Sequence, residues 1–278
     1  MNDILRNSLM LRRIRLDIYL CTQCDLKCKY CYRFCNIADN DNYDYNHLIK
    51  DLTKLKKKNI AFRKFILNGG EPLLYPNLLD SFKRIRNIFP NIPICLQTNG
   101  KQFLKKADIL IPAMKESNIN LNISEYRKTN IDYNKIFNLC SKAGILYNDV
   151  WSIRLNNKEV QFDTEKIGMK KKSMQETLIN YQNKCRCTCI CLWKGKFYRC
   201  GKSAWINILN KKYNTEFKVA EDDYLDVDSV NSTKQLLNFI KTPGSFCRYC
   251  FNNKSGANDC CPWSNDSPSK SDWIVEEE

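Results

Sequence analysis

The stretch Ile14-Arg-Leu-Asp-Ile-Tyr-Leu20 runs directly into Cys21-Thr-Gln-Cys24-Asp-Leu-Lys-Cys28-Lys-Tyr-Cys31-Tyr32. Its first half puts Ile14, Leu16, Ile18 and Leu20 on one face at period two, the pattern of a half-buried strand. Its second half places three cysteines at Cys-x3-Cys-x2-Cys in one short loop, where their thiolates can converge on a single metal centre. Thiolates select zinc, Cu(I) or iron–sulfur clusters. A structural zinc site is closed by a fourth ligand, whereas three ligands on a [4Fe–4S] cluster leave one iron open.

Working outward, residues 14–183 alternate strand-like and helix-like segments. Asp44 can cap a helix carrying Leu48, Ile49, Leu52 and Leu55 that ends near Asn59. Phe62 to Leu67 reads as a strand running into Asn68-Gly69-Gly70, and Pro76 suits the first turn of a helix bearing Leu78, Leu79, Phe82, Ile85 and Phe89. Ile92 to Gln97 is a strand closing on Thr98-Asn99-Gly100, and Ile119 to Ile123 is another ending at Ser124. A helix through Ile136 and Leu139 stops near Gly144, and Trp151 to Leu155 is a fifth strand. This tempo predicts βα units, a parallel sheet and loop chemistry at the strand C-termini.

After residue 183 cysteines crowd in, Lys194-Gly195 suits a hairpin turn, and one helix is expected from about Ser232 to Lys241. The expected organisation is therefore α/β: a barrel-like part over 1–183 and a small, packed, cysteine-rich α+β part over 184–278.

Composition narrows the chemistry. The chain has 278 residues, 16 cysteines and one histidine, His47, so a Ser-His-Asp hydrolase or a His-rich zinc enzyme would rest on one residue. The N-terminal segment lacks the apolar core of a secretory signal, and no stretch approaches the roughly 20 apolar residues of a membrane span. A reducing cytoplasm is expected, which disfavours disulfides and favours metal or redox roles for cysteine. The net charge of +15 concentrates before residue 184. It suits solvated lysine-rich faces or an acidic partner.

Three ordered features resemble the radical S-adenosylmethionine (SAM) superfamily. They are Cys24-x3-Cys28-x2-Cys31 with aromatic Tyr32 next, Gly69-Gly70-Glu71-Pro72 after the second strand, and Thr98-Asn99-Gly100 after the third. The resemblance covers roughly residues 14–160 and implies a partial (β/α)6 TIM-like barrel. It implies a [4Fe–4S] cluster on Cys24, Cys28 and Cys31, with SAM chelated to the open iron. Gly69 and Gly70 would let backbone approach the ligand, and Glu71 would accept from the SAM ammonium. Tyr32 would lie near the adenine, Asn99 and Ser124 near ribose and methionine, and Arg154 is a weaker candidate for the SAM carboxylate. Each residue also has a plain reading as turn, core or surface ion pair. The implied chemistry is reductive cleavage of SAM to a 5′-deoxyadenosyl radical, with an electron from a flavodoxin- or ferredoxin-like donor.

Farther on, Cys185-x9-Gly195-x4-Cys200 followed by Cys247-x2-Cys250 resembles the Twitch domain, a shortened SPASM domain. That resemblance implies an auxiliary [4Fe–4S] cluster on Cys185, Cys200, Cys247 and Cys250, with Cys189 or Cys187 able to replace Cys185. A zinc ribbon on the same four residues is the alternative. Cys260 or Cys261 could return a hydrogen atom to a substrate radical. Cys21, Cys35, Cys95 and Cys140 are expected to be non-ligating.

The leading expectation is oxidation or epimerisation of a small polar substrate, carbohydrate-like or nucleotide-linked. The short stretch before the first strand is expected to leave no leader-peptide-binding domain. The alternative is thioether or carbon–carbon crosslinking of a ribosomally made peptide, whose acidic leader would suit the basic surface. A zinc-stabilised RNA-binding protein is an alternative of another class. It leaves the Gly-Gly-Glu and Thr-Asn-Gly motifs unexplained.

Overall fold

Alternation along the first strand sorts the molecule into two faces. β1 (Arg15–Tyr19) turns Leu16 and Ile18, both fully buried, to one side. β2 (Lys64–Asn68) pairs with it in parallel, Leu16 opposite Phe65 and Ile18 opposite Leu67. β3 (Ile94–Thr98), β4 (Ile119–Ile123) and β5 (Tyr147–Asp149) continue the parallel series. The helices between them cover the aliphatic face. α1 (Tyr45–Lys57) presents Leu48, Leu52 and Leu55, and α2 (Leu78–Ile88) presents Phe82 and Ile85. α3 (Phe103–Glu116) adds Leu110 and Met114, and α4 (Tyr133–Ala143) adds Ile136. Burying each such side chain stabilises the fold by roughly 1.5–3 kcal/mol.

The computed structural model describes residues 14–126, 129–149, 161–163, 166–183, 185, 189–251, 260–262 and 266–275. Local expectations hold at several ends. Asp44 caps α1, its carboxylate accepting from the His47 amide at 2.8 Å. Gly144 ends α4 at φ 71°, the left-handed conformation glycine takes without penalty. Pro76 instead precedes α2, and the first turn after the Gly-Gly-Glu motif is a short 3-10 turn over Pro72–Leu74. The expected fifth strand at Trp151 to Leu155, with Arg154, lies outside the described residues. The same holds for any sixth β/α unit there.

The main sheet continues past the expected division at 183/184. After β6 (Gln161–Asp163), β7 (Lys166–Gly168) and α5 (Met174–Asn183), β8 (Cys189–Trp193) joins the main sheet, parallel to β1, with Leu16 opposite Ile190. Ile190 and Leu192 share the core of Leu16 and Ile18, so the sheet is continuous across the expected boundary. A hairpin at Lys194-Gly195, with φ 45° and 79°, returns β9 (Lys196–Tyr198) antiparallel, and β10 (Tyr224–Asp226) follows. The main sheet has the order β10-β9-β8-β1-β2-β3-β4-β5.

Two further helices follow β9. α6 (Gly201–Tyr213), absent from the sequence expectation, starts at Cys200, and α7 (Thr233–Lys241) matches the helix expected from about Ser232, which the structure shows as its N-cap. Two small sheets complete the described fold: β11 (Cys250–Phe251) and β13 (Ile274–Val275) flank β7, and β12 (Cys260–Pro262) pairs with β6. Among the described residues no helix is long and apolar enough to cross a membrane.

Candidate functional site

The cysteine loop leaves the C-terminal end of β1 and is closed at its base. Thr22 accepts from the Asp41 amide at 2.9 Å and donates to the Asp39 carbonyl at 2.6 Å. Inside it, consecutive turns bond Cys31 N to Cys28 O at 3.2 Å and Phe34 N to Cys31 O at 2.9 Å, and Asn36 holds the Cys28 carbonyl at 2.7 Å. This winding makes Cys24, Cys28 and Cys31 electrostatic neighbours, and all three bear on Tyr126, beyond the end of β4. Cys31 is acidified to about 6, chiefly by the Cys35 thiol hydrogen-bonding to it. Burial pushes Cys24 the other way.

Gly69 and Gly70 let β2 meet this loop. A Cβ at Gly69 would lie 2.5 Å from the Cys21 carbonyl oxygen, and one at Gly70 would lie 2.1 Å from that of Gln23. The approach is made by hydrogen bonds from Gly70 N to Cys21 O and Glu71 N to Gln23 O, both 2.7 Å. Glu71 is 1% exposed, and three donors meet its carboxylate: Leu73 N at 3.0 Å, Thr98 Oγ1 at 2.6 Å and Asn99 N at 2.9 Å. Burial nevertheless raises its pKa to about 7. Glu71 thus ties the Gly-Gly-Glu turn to the Thr-Asn-Gly turn.

Asn99, set by that tie, points its amide nitrogen to Asp25 Oδ1 at 2.9 Å and to Cys24 Sγ at 3.9 Å. Ser124, buried, donates its amide to the Thr98 carbonyl at 2.9 Å. Tyr32 is 39% exposed and stacks under Arg33, which also covers Tyr19 and donates to the Gly69 carbonyl at 2.5 Å. Cys24, Cys28, Cys31, Gly69, Gly70, Glu71 and Asn99 therefore meet in one assembly, with Ser124 tied to it through Thr98.

Asp25, Arg33 and Tyr126 belong to the same assembly and were not singled out from sequence, and Thr98 was named there only as part of the Thr-Asn-Gly motif. Asp25 also accepts from Gln102 at 2.6 Å and, through its carbonyl, from Lys101 at 2.7 Å. Its position between Cys24 and Cys28 was the available signal. Tyr126 had none beyond following Ser124 closely.

The second cysteine group comes from three separate stretches of the chain. Cys185 follows α5, Cys200 is the N-cap of α6, Cys247 lies in the 3-10 turn Ser245–Tyr249, and Cys250 opens β11. Cys200 has Cys185 as an electrostatic neighbour, and Cys247 has Cys200 and Cys250. Burial pushes the Cys247 thiol up to about 12. Cys189 is placed by its backbone in β8 opposite Arg15, and Cys187 lies outside the described residues. β12 carries Cys260 and Cys261, paired by backbone with Asp163 and Phe162.

The two groups approach each other at Gly201, where a Cβ would lie 3.0 Å from Arg33 Cγ and 3.3 Å from Tyr32 Cε2. A second tie comes from Trp273, whose indole donates to the Cys31 carbonyl at 3.1 Å. Among the described residues, no three His, Cys, Asp or Glu side chains gather tightly enough for one metal ion. A multi-iron cluster spreads its thiolates farther apart than a single ion does. Three thiols on one loop beside a polar cradle fit such a group.

Comparison with known proteins agrees with this geometry. Residues 18–143 match the model of the Radical SAM superfamily. GTP 3',8-cyclase of Clostridium perfringens (strain SM101 / Type A) is 29% identical over 117 residues, 36% of this chain and 35% of that relative. GTP 3',8-cyclase of Microcystis aeruginosa (strain NIES-843 / IAM M-2473) is 33% identical over 110 residues, 38% of this chain and 33% of that relative. The chain thus spans about a third of the length of these curated relatives. Among solved structures, BtrN in complex with AdoMet and 2-DOIA superposes with a TM-score of 0.50 at 15% identity, over 94% of this chain and 98% of that one. Hexahistidine-tagged anSMEcpe with bound AdoMet also gives 0.50 at 15% identity, over 82% and 81%. These two share the fold. The match to the Radical SAM superfamily thus falls on residues 18–143, the stretch that holds the three-cysteine loop, the Gly-Gly-Glu turn and the Thr-Asn-Gly turn.

Proposed function

We propose that the chain is a radical SAM enzyme holding a [4Fe–4S] cluster on Cys24, Cys28 and Cys31, with SAM at the iron they leave open. The observation that carries this reading is the Asn99 amide, tied by Glu71 and set 3.9 Å from Cys24 Sγ. It makes the metal ligands and the polar motifs one structure. Held by Cys24, Cys28 and Cys31, the cluster would supply the electron for reductive cleavage of SAM, the chemistry that opens hydrogen abstraction from a substrate C–H.

The protein's share is position and exclusion of water. Glu71 locks the ends of β2 and β3 together. Asn99 and Asp25 present polar groups beside Cys24, and Tyr126 borders all three thiols. Tyr32 and Arg33 form a stacked wall at the loop's far side. Cys185, Cys200, Cys247 and Cys250 hold an auxiliary [4Fe–4S] cluster in a Twitch-like arrangement, fitted to accept or relay an electron. Its approach to Tyr32 and Arg33 through Gly201 supports that role.

The substrate in this reading is a small polar molecule undergoing oxidation or epimerisation, with a flavodoxin- or ferredoxin-like electron donor in a reducing cytoplasm. A second reading, radical cyclisation of a nucleotide, is favoured by the name of the curated relatives, GTP 3',8-cyclase. The test is anaerobic incubation of reconstituted protein with dithionite and SAM. Formation of 5′-deoxyadenosine is expected, and intact SAM after prolonged incubation contradicts the reading.

A further inference from the structure

One face of the parallel sheet carries polar groups that holding the cluster does not require. Apart from Ile66, the aliphatic residues of β1 to β4 go to the helices, and the opposite face presents Asp17 and Tyr19, then Asn68, Gln97 and Asn122. Asp17, Asn68 and Asn122 are 3%, 2% and 6% exposed. Burying polar side chains is unfavourable unless each atom is met by a partner.

The charge on this face is met. Arg15 grips the Asp17 carboxylate at 2.7 and 3.1 Å, and Asn68 Nδ2 donates to it at 3.3 Å. Lys64, at the far end of the same face, sits beside Cys95. Asn68 Oδ1 is different: it is buried with no hydrogen-bond partner among the described residues. So is Trp205 Nε1 on α6. The Trp205 ring lies 4.7 Å from that of Tyr19, and Tyr19 is the register partner of Asn68. An unpaired acceptor and an unpaired donor thus flank one tyrosine, at a position where the α6 backbone itself departs from helix at φ −126°. A hydroxyl, which donates and accepts, answers both.

The location suits a substrate. Asn68 immediately precedes Gly69, Gln97 lies two residues before Asn99, and Asn122 two before Ser124. A molecule held here lies beneath the ends of β2, β3 and β4 that frame the cysteine loop.

We propose that this face, centred on Asn68, is the substrate seat and that it selects a neutral, hydroxyl-bearing molecule. Amides of Asn68, Gln97 and Asn122 read hydroxyls through paired donor and acceptor atoms. An anionic substrate would need an uncommitted cation beside Asn68; among the described residues of this face Arg15 is engaged by Asp17, and Lys64 lies at the far end of β2 beside Cys95. The inference rests on the radical SAM reading for the reaction, and its own content is the ligand's chemistry.

Calorimetry on the full reconstituted chain tests it with neutral probes (myo-inositol, glucose, N-acetylglucosamine, guanosine) against anionic ones (gluconate, glucose 6-phosphate, GTP). At least one neutral probe is expected to bind, with Asn68→Leu weakening it tenfold or more and Asn122→Leu also weakening it. Asn68→Leu also removes the donor to the buried Asp17 carboxylate, so the ligand-free variant is melted to establish that it folds before its affinity is read. Should Asn68→Leu fail to fold, the Asn122→Leu affinity carries the test. Binding by no neutral probe, tighter binding of the anionic probes, or unchanged affinity in the folded variants overturns the proposal. Failure of wild-type protein to make 5′-deoxyadenosine would remove the reaction and leave the binding result standing.

Discussion

The two cysteine groups are built in opposite ways. Cys24, Cys28 and Cys31 share one loop whose turns are made by its own backbone and whose base is pinned by β1 and β2. Cys185, Cys200, Cys247 and Cys250 come from segments that only the folded chain brings together. The first group sets an acidified thiol, Cys31, beside Cys24, which burial holds protonated as it does Cys247 in the second. A locally wound site tolerates loss of distant structure, and an assembled one depends on it. The loop is therefore expected to load iron more readily, and the assembled group to lose its metal first on partial unfolding.

The largest expected effect separates the groups by function. Cys28→Ala should abolish 5′-deoxyadenosine formation, by a factor of about 10³ or more, whereas Cys247→Ala should keep measurable SAM cleavage while losing product from substrate. A liquid-chromatography assay of both variants checks this, and equal loss in the two would break the distinction.

Next come the glycines. Gly70→Ala drives a Cβ to 2.1 Å from a backbone carbonyl, whereas at Gly244 the near atom, at 2.2 Å, is the end of the Asp223 side chain. The expected cost is about 3 kcal/mol or more for Gly70→Ala and less for Gly244→Ala, read as the shift in urea midpoint.

Glu71 gives a pH signature to the first region. Its folded pKa of about 7 lies above its usual 4.5, so the folded state favours the protonated form. That contribution is whole below about pH 4.5 and is lost as pH rises through about 7, on the order of 3 kcal/mol in all. Metal-free wild type should lose stability across this window relative to Glu71→Gln, whose curve should be flatter; denaturation at stepped pH measures it.

The smallest effect concerns the C-terminal tie. Trp273→Phe keeps an aromatic ring against Phe34 and Tyr213 and removes the hydrogen bond to the Cys31 carbonyl, at a cost of about 0.5–1.5 kcal/mol. Faster iron loss from the loop on chelator challenge is the expected readout.

What was legible in the sequence was local. The Asp44 cap, the Gly144 stop, the Lys194-Gly195 turn and the helix start near Ser232 are each set by a few neighbouring residues, and the structure has all four. The three-cysteine loop and its two partner motifs were legible for the same reason, since each closes a strand. The pairing of β8 with β1 was not, because it joins residues more than 170 positions apart and leaves no periodic trace. α3 was hidden by Pro112 within it, and α6 by the cysteines and glycine at its start. Glu71 was placed at the site by its motif, but nothing in the motif says that Thr98, Asn99 and Leu73 meet its carboxylate. Tyr126 owes its position to the turn after β4, which the sequence does not mark.

The central claim is that two separate thiolate sets hold two iron–sulfur clusters. Its most direct test is iron and sulfide counting on anaerobically reconstituted wild type beside the Cys24→Ala/Cys28→Ala/Cys31→Ala variant. The expected result is about eight irons per chain falling to about four in the variant. A colourless wild-type chain that binds zinc and no iron would contradict it.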